Sequence, residues 1–499
     1  MDPGAPGSRP RGARRAGLFF LAFASGFAVL AIEIAGARLM APVYGMSAVP
    51  WTAVIGVILS GLALGSHLGG RLADGGRVPL PAVLMVAGLT GAIPLLGTDV
   101  PLLARDQLGV VFGAVATALI LFAPSVVCLG AVVPYLVQAD TESLASVGRR
   151  AGDVSAAATA GSILGSFVTG FFLLPLMPLP VLLGVTAAAL LGLAVLAGWI
   201  LGRGPSKGGA ALGAVILVAL GAAKARPGEG TLFETQTLYA AVEVTERDGG
   251  DGRTIRELWQ NGSVSSGEWT DTGFPSHRYA EVSGILLEPV IGDVHSMLVL
   301  GGAALSLPVA FQRWQPGLSV DVVEIDPEVT RLAREYFAFG RDAYPGIRVF
   351  HEDARVYLGR ADQEYDLIYL DVFDNLLSVP WPVVTEEAFT AMAGLLRPGG
   401  RVMANIISPA EGPGVAFFQR VQATMGQVFP HVRTYPVSPE RPANAMQNHI
   451  VMAALDEAAF PETSWPEGDV GPAGRPLTDA WAPVEYLQAR LFLGFLTWY

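Results

Sequence analysis

From Val154 to Gly202 the chain runs for 49 residues without one charged side chain. About 20 apolar residues in a helix cross the hydrocarbon core of a bilayer, so this run is long enough for two crossings. Leu176-Met-Pro-Leu-Pro180 supplies the turn between them, because proline interrupts a helix. The same reading predicts spans near 16–40, 50–70, 79–97, 108–137, 155–175 and 179–201, with a shorter seventh candidate at 209–223. The basic start, Ser8 to Arg15, leads into an apolar segment that is followed at once by further spans. That pattern predicts an uncleaved first helix rather than a secretory signal.

Charge divides the chain in two. Residues 1–227 hold 14 of the 32 Lys and Arg and 8 of the 44 Asp and Glu, a balance of +6, and the remainder carries −18, which together make the total of −12. Arg and Lys gather in short cytoplasmic loops. With the N-terminus inside, Arg9, Arg11, Arg14, Arg15, Arg71, Arg77, Arg149, Arg150, Arg203 and Lys207 fall on the cytoplasmic side and only Arg38 and Arg105 on the other. The N-terminus is therefore expected in the cytoplasm. Six crossings would then leave the C-terminal half inside the cell and seven would place it outside. Within the spans Glu33, Arg38 and His67 are the ionisable groups, which mark functional positions by default. The rows Gly61, Gly65, Gly69 and Gly161, Gly165 predict close helix packing. The loop Gly70-Arg-Leu-Ala-Asp-Gly-Gly-Arg77 resembles the loop between helices two and three of major-facilitator transporters.

The predicted organisation is a multi-pass helical membrane domain over 1–227, a small antiparallel β subdomain over 228–275 and an α/β Rossmann-like, methyltransferase-type domain over 276–499. Strands are expected at 239–246 and 254–260, with Asn261-Gly262 as a hairpin turn. From 297 onward strands at 297–300, 320–325, 347–350, 366–371 and 401–406 alternate with helices near 304–313, 328–337, 385–396 and 413–428. That alternation indicates a parallel, doubly wound sheet. A single cysteine, Cys128, excludes a disulfide scaffold and Cys-rich metal sites, and no metal is expected. A half this acidic is a poor nucleic-acid binder.

Ligands of such sheets bind at the C-terminal ends of the strands. There the sequence places Gly301-Gly302, a close turn; Glu324 and Asp326, with Glu324 22 residues after Gly302; Asp353-Ala354; and Asp371 with Asp374. A carboxylate at that distance accepts hydrogen bonds from a ribose diol. The glycine pair alone could be an empty tight turn, Asp353 alone a helix cap, and Glu324 or Asp371 alone a solvated strand end. All of them at consecutive strand ends point to a nucleoside site.

These segments, VLVLGGAALSLPVAF, VDVVEIDPEVTRLAREYF, HEDARVYL and YDLIYLDVFD, resemble the catalytic domain of spermidine synthases, the polyamine aminopropyltransferases, and most of all their membrane-fused branch. The resemblance implies decarboxylated S-adenosylmethionine as co-substrate. It implies Glu324 on the ribose, Asp353 near the adenine, Asp371 handling the attacking amine and Asp374 holding the polyamine, with Tyr279 and Glu281 on the substrate side. The sequence departs from the family at three places. The glycine-rich loop reads Gly301-Gly-Ala-Ala-Leu-Ser306 and lacks the family's acid, Ala240 replaces a Gln, and Ala280 replaces a His. The expected activity is aminopropyl transfer to a polyamine such as putrescine by an enzyme anchored in the lipid bilayer, with a homo-oligomer as a further partner. Two alternatives remain open at this stage. One is a methyltransferase-like enzyme using S-adenosylmethionine itself. The other is a polyamine or solute transporter whose sheet domain only binds a nucleoside.

Overall fold

The structure is a computed structural model that describes residues 11–45, 48–141, 146–202, 207–225, 227–250, 252–373, 379–412, 414–468 and 470–493. The chain divides into two compact units, one of 1–44 with 48–226 and one of 45–47 with 227–499.

The first unit is helical: α1 (Arg11–Tyr44), α2 (Ala48–Gly75), α3 (Leu80–Thr90), α4 (Val100–Leu121), α5 (Ala123–Asp140), α6 (Val147–Val168, continued through a π-turn to Leu176), α7 (Leu179–Leu201) and α8 (Lys207–Lys224). Among the described residues, six of these, all but α3 and α8, are long and apolar enough to cross a membrane. The set differs from the sequence expectation in two places. The segment read as a span at 79–97 is the 11-residue α3 and a further short turn, Ile93–Leu96. The segment read as one span at 108–137 is broken at Phe122 (φ −116°), where Pro124 has no N–H to give the carbonyl four residues back. Upstream of that break α4 bends sharply at Gly109 (φ 72°, ψ −176°), a backbone that glycine adopts without penalty.

Backbone-to-backbone contact holds α1 on α6 and α2 on α5. A Cβ at Gly161 would lie 1.8 Å from the Phe23 carbonyl oxygen, and one at Gly65 2.1 Å from that of Val127. Where lipid removes the hydrophobic drive between helices, such close packing supplies the association energy. One end of the bundle is tied by charge: Arg15 pairs with Asp153 at 3.0 Å and Arg150 with Asp140 at 3.0 Å. The Gln138 amide donates to the Ala73 carbonyl (2.8 Å) at the same end. Gly17 of α1 faces Ile200 near the end of α7, whereas Gly221 of α8 lies against the Pro180 carbonyl at the start of α7. The helix α8 therefore runs back along α7 and finishes at the end of the bundle opposite Arg15.

The second unit opens with an antiparallel sheet of β1 (Thr231–Gln236), β2 (Ala241–Gly250), β3 (Arg253–Gln260) and β4 (Ser263–Trp269). The turn between β3 and β4 has positive φ at both Asn261 (48°) and Gly262 (75°), the signature that an Asn-Gly hairpin requires. A seven-stranded sheet follows: β5 (Ser296–Leu300), β6 (Ser319–Val323), β7 (Ile347–Phe350), β8 (Tyr365–Leu370), β9 (Leu396–Ser408), β10 (His431–Pro436) and β11 (Gln447–Ala454), in the order β10-β11-β9-β8-β5-β6-β7. The five strands from β5 to β9 are parallel, as the alternation with helices implies, but β11 pairs antiparallel with both β9 and β10. The sheet is thus mixed rather than all parallel.

Helices cover both faces: α9 (Arg278–Leu287), α10 (Ser306–Trp314), α11 (Pro327–Tyr336), α12 (Ala354–Arg360), α13 (Glu386–Gly394) and α14 (Ala416–Val428). All five residues of β5 are buried, Leu298 and Leu300 in the cluster with Phe389, Phe417 and Phe418, and Met297 and Val299 in the cluster with Phe311 and Leu286. Burying a side chain of this size contributes about 1.5–3 kcal/mol. This strand is the rigid floor from which the loop at 301 rises. A last helix, α15 (Val484–Leu493), packs through Val484 and Leu487 into the first of these clusters, so this part of the apolar tail belongs to the sheet unit.

Candidate active site

Four loops leave the C-terminal ends of β5, β6, β7 and β8, and they meet the β3–β4 hairpin around a cavity of about 580 Å³. The loop after β5 is shaped by contact. Gly301 has φ 94°, and a Cβ there would lie 2.3 Å from the carbonyl oxygen of Asp371, so only glycine lets the ends of β5 and β8 close up. Ala303 (φ 42°) and Leu305 (φ 60°) hold left-handed conformations without being glycine. Each costs roughly 1–2 kcal/mol. The strain is offset by bonds to the loop itself: the Leu305 N–H donates to the Gly302 carbonyl at 2.8 Å, and the N–H groups of Gly302 and Ala303 donate to Glu324 Oε2 at 3.0 and 2.9 Å.

Glu324, at the end of β6, is buried, and that burial raises its pKa. Its Oε1 accepts from the Asp326 N–H at 3.0 Å. Of about four acceptor sites on a carboxylate, three are taken by backbone donors, and one remains for a ligand. Asp326 stands apart from the cavity wall. Its side chain caps α11 by accepting from the Glu328 N–H at 3.0 Å, and its Oδ2 is buried with no partner. Asp353 caps α12, accepting from the N–H groups of Arg355 and Val356, and with Ala354 it lines the cavity.

Asp371 sits where the β8 and β5 loops touch. The Tyr279 hydroxyl donates to its Oδ2 at 2.9 Å and the Asn405 amide donates to its Oδ1 at 2.9 Å. Burial pushes its pKa up to about 6 against the pull of these two neutral donors. The result is a carboxylate poised close to neutrality. Burial and the nearby Asp371 charge raise Tyr279 well above its ordinary value, so it remains a donor at physiological pH. The cavity is lined by four carboxylates, Glu324, Glu352, Asp353 and Asp371, and by no lysine or arginine among the described residues.

Glycines 301 and 302, Glu324, Asp353, Ala354, Asp371 and Tyr279 therefore converge on one cavity. Glu281 does not: it is exposed on α9 and is not part of the lining. Asp374 lies outside the described residues. Among the lining groups that escaped the sequence reading are His277, Asn405 and Asn448. His277 precedes α9 with its ring centroid 5.9 Å from that of Tyr279, and burial lowers its pKa, leaving it neutral at pH 7. A polar residue inside the apolar run Val402 to Ile407 was the available signal for Asn405.

The missing acid of the glycine loop has a structural counterpart. Ala304 is 0% exposed and packs with Val242, Leu258, Val329 and Leu332. It faces a hydrophobic cluster, not the cavity. Ala304→Asp is therefore expected to bury an unpaired carboxylate and destabilise the unit by roughly 3 kcal/mol or more, without creating an amine site. A lowered unfolding midpoint with unchanged or worse amine affinity is the expected measurement; a tighter-binding, equally stable variant would refute it.

Residues 243–453 match the model of the spermine/spermidine synthase domain. The chain is 28% identical over 291 residues to the polyamine aminopropyltransferase of Vibrio vulnificus, covering 52% of this chain and 93% of that protein. It is 27% identical over 198 residues to a probable polyamine aminopropyl transferase of Bifidobacterium longum, covering 40% of this chain and 42% of that one. Among solved structures it resembles a probable spermidine synthase from Corynebacterium glutamicum with 24% identity and a TM-score of 0.40, over 46% of this chain and 82% of that one. Within the C-terminal half, residues 243–453 are thus a spermine/spermidine synthase domain, a transferase domain of the polyamine aminopropyltransferase family, preceded in the chain by helices of which six, among the described residues, are long and apolar enough to cross a membrane.

Proposed function

We propose that the cavity binds decarboxylated S-adenosylmethionine and transfers its aminopropyl group to an amine such as putrescine. The observation that carries this reading is the lining: the carboxylates of Glu324, Asp353 and Asp371, a fourth, Glu352, that is paired with Arg360 behind the wall, and, among the described residues, no lysine or arginine. Such a wall suits a donor that is a sulfonium bearing a second ammonium, and an acceptor that is itself a cation. It is unfavourable for S-adenosylmethionine, whose extra carboxylate would enter among like charges.

The donor's ribose takes the remaining acceptor site of Glu324, and Asp353 lies where the adenine amino group donates. The acceptor nitrogen attacks the methylene next to sulfur. A C–N bond forms, the C–S bond breaks with its electron pair going to sulfur, and methylthioadenosine leaves as a neutral thioether. Before the attack one ammonium proton of the acceptor passes to Asp371, whose pKa of about 6 lets it hold the cation first and then accept the proton; this frees the nitrogen lone pair, and the product leaves as a secondary ammonium. Tyr279 and Asn405 keep that carboxylate in line, and positioning is the larger part of what a reaction with so good a leaving group needs.

The test is release of methylthioadenosine by the purified full-length chain given donor and putrescine. Nucleoside bound without release would overturn the proposal. The lining also predicts that methylthioadenosine binds at least about tenfold tighter than S-adenosylhomocysteine, a difference of about 1.4 kcal/mol. The reverse order in calorimetry would favour methyl transfer.

The helical unit adds a constraint. Its arginine-tied end holds the N-terminal end of α1 and its last helix ends opposite, so labels placed before Arg11 and after Lys224 are expected to read opposite sides of a bilayer. Both labels on one side would show that α8 does not cross.

A further inference from the structure

Asn405 is 3% exposed near the C-terminal end of β9, and its side-chain amide has one partner at each end. The Nδ2 donates to Asp371 Oδ1 at 2.9 Å, and the Oδ1 accepts from Asn448 Nδ2 at 2.9 Å. The two ends of an amide are nearly equal in shape, so only the partners decide which faces the carboxylate. Turned round, Asn405 would present an oxygen to the Asp371 oxygen, and an NH2 group to the NH2 group of Asn448. Both contacts would be repulsive.

Asn448 reaches this position through strand register. On β11 it pairs with Ile407, and Ile450 pairs with Asn405, so Asn448 and Asn405 are diagonal neighbours on one face of the sheet. Its side chain also lines the cavity. The groups that face Asp371 are the Tyr279 hydroxyl from α9, the Asn405 amide from β9 and, through its electrostatic influence, Tyr369 on β8 itself. None of these is charged, so burial raises the pKa of the carboxylate and only the neutral donors Asn405 and Tyr279 pull it down.

We propose that Asn448 is a positioning residue: by donating to Asn405 Oδ1 it fixes the direction of that amide and so delivers an N–H to Asp371. The inference rests on the aminopropyl-transfer reading for its kinetic consequences, but its geometry does not. Asn448→Leu keeps the size and removes the donor. It is expected to raise the acid limb of the kcat/KM profile for methylthioadenosine release by about one pH unit, and to lower kcat about tenfold at pH 7. Methylthioadenosine affinity should stay within about threefold, which shows the site intact. Asn448→Gln, which keeps a donor, is expected to restore most of the limb. A lower rate with an unmoved limb, or equal effects of Leu and Gln, would assign Asn448 a merely structural part and overturn the proposal. If the wild-type chain shows no release, the carboxyl-carbon titration of Asp371 in the labelled full chain, identified by its loss in Asp371→Asn, separates the two ideas. A midpoint raised by Asn448→Leu upholds the positioning role while the reaction assigned above fails, and an unmoved midpoint removes the positioning role as well.

Discussion

Asp371→Asn lowers kcat/KM for methylthioadenosine release by roughly 10²–10⁴-fold, the range that a positioned general base contributes, while nucleoside affinity changes by no more than about threefold. The asparagine fits the same space and can still contact Tyr279 and Asn405, but it neither attracts the acceptor's cation nor takes its proton. The same variant should be more stable than the wild type at pH 8. The folded-state pKa of Asp371, about 6, lies above its ordinary value of 3.8 because burial penalises the charge. For a carboxyl shifted upward, the folded state is most favoured below the unfolded value and loses that advantage as pH rises through the folded one. The gain of Asp371→Asn is therefore full above about pH 7, shrinks as pH falls through 6, and is gone below about 4. Thermal midpoints of the two proteins across that range check the sign, and activity retained by Asp371→Asn would remove Asp371 from the reaction. A stability gained where activity is lost marks a residue held in an unfavourable state for function.

Much of the site could be read from order along the chain, because each carboxylate stands at the end of a strand whose apolar run is plain. The run Met297 to Leu300 identifies β5, and Glu324, Asp353 and Asp371 follow their strands within one to three residues. Asp326 follows one of those strands too, yet it serves as a helix cap. In one dimension a capping aspartate and a ligand-facing aspartate look alike. The pair β10 and β11 was not legible, since short apolar runs such as Ile450 to Ala454 fit a buried helix as well as a strand. With β11 unseen, Asn448 could not be brought beside Asn405, 43 residues away. In the helical unit, hydropathy summed across Phe122 and Pro124 and so joined two helices into one span. Such an average registers apolar content, not the missing N–H of a proline.

Gly301→Ala is expected to remove activity by at least about 10²-fold and to destabilise the sheet unit by roughly 2–4 kcal/mol. Two costs add at this position. The backbone sits at φ 94°, where an L side chain is strained, and the new methyl would lie 2.3 Å from the Asp371 carbonyl oxygen. Because that neighbour is backbone, no side chain can swing aside to relieve the overlap. Relief comes only by parting the β5 loop from the β8 loop, which moves the Glu324-bound cradle away from the Asp371 carboxylate. The distance between donor and base is thereby changed without touching either group. Gly359→Ala in α12 is the control: a Cβ there meets nothing within 4 Å, so stability should rise by about 0.5–1 kcal/mol with full activity. If Gly301→Ala were instead as stable and active as that control, the close approach of the two loops would not be what aligns the site, and the coupling of nucleoside cradle to catalytic carboxylate would have to be sought elsewhere in the sheet.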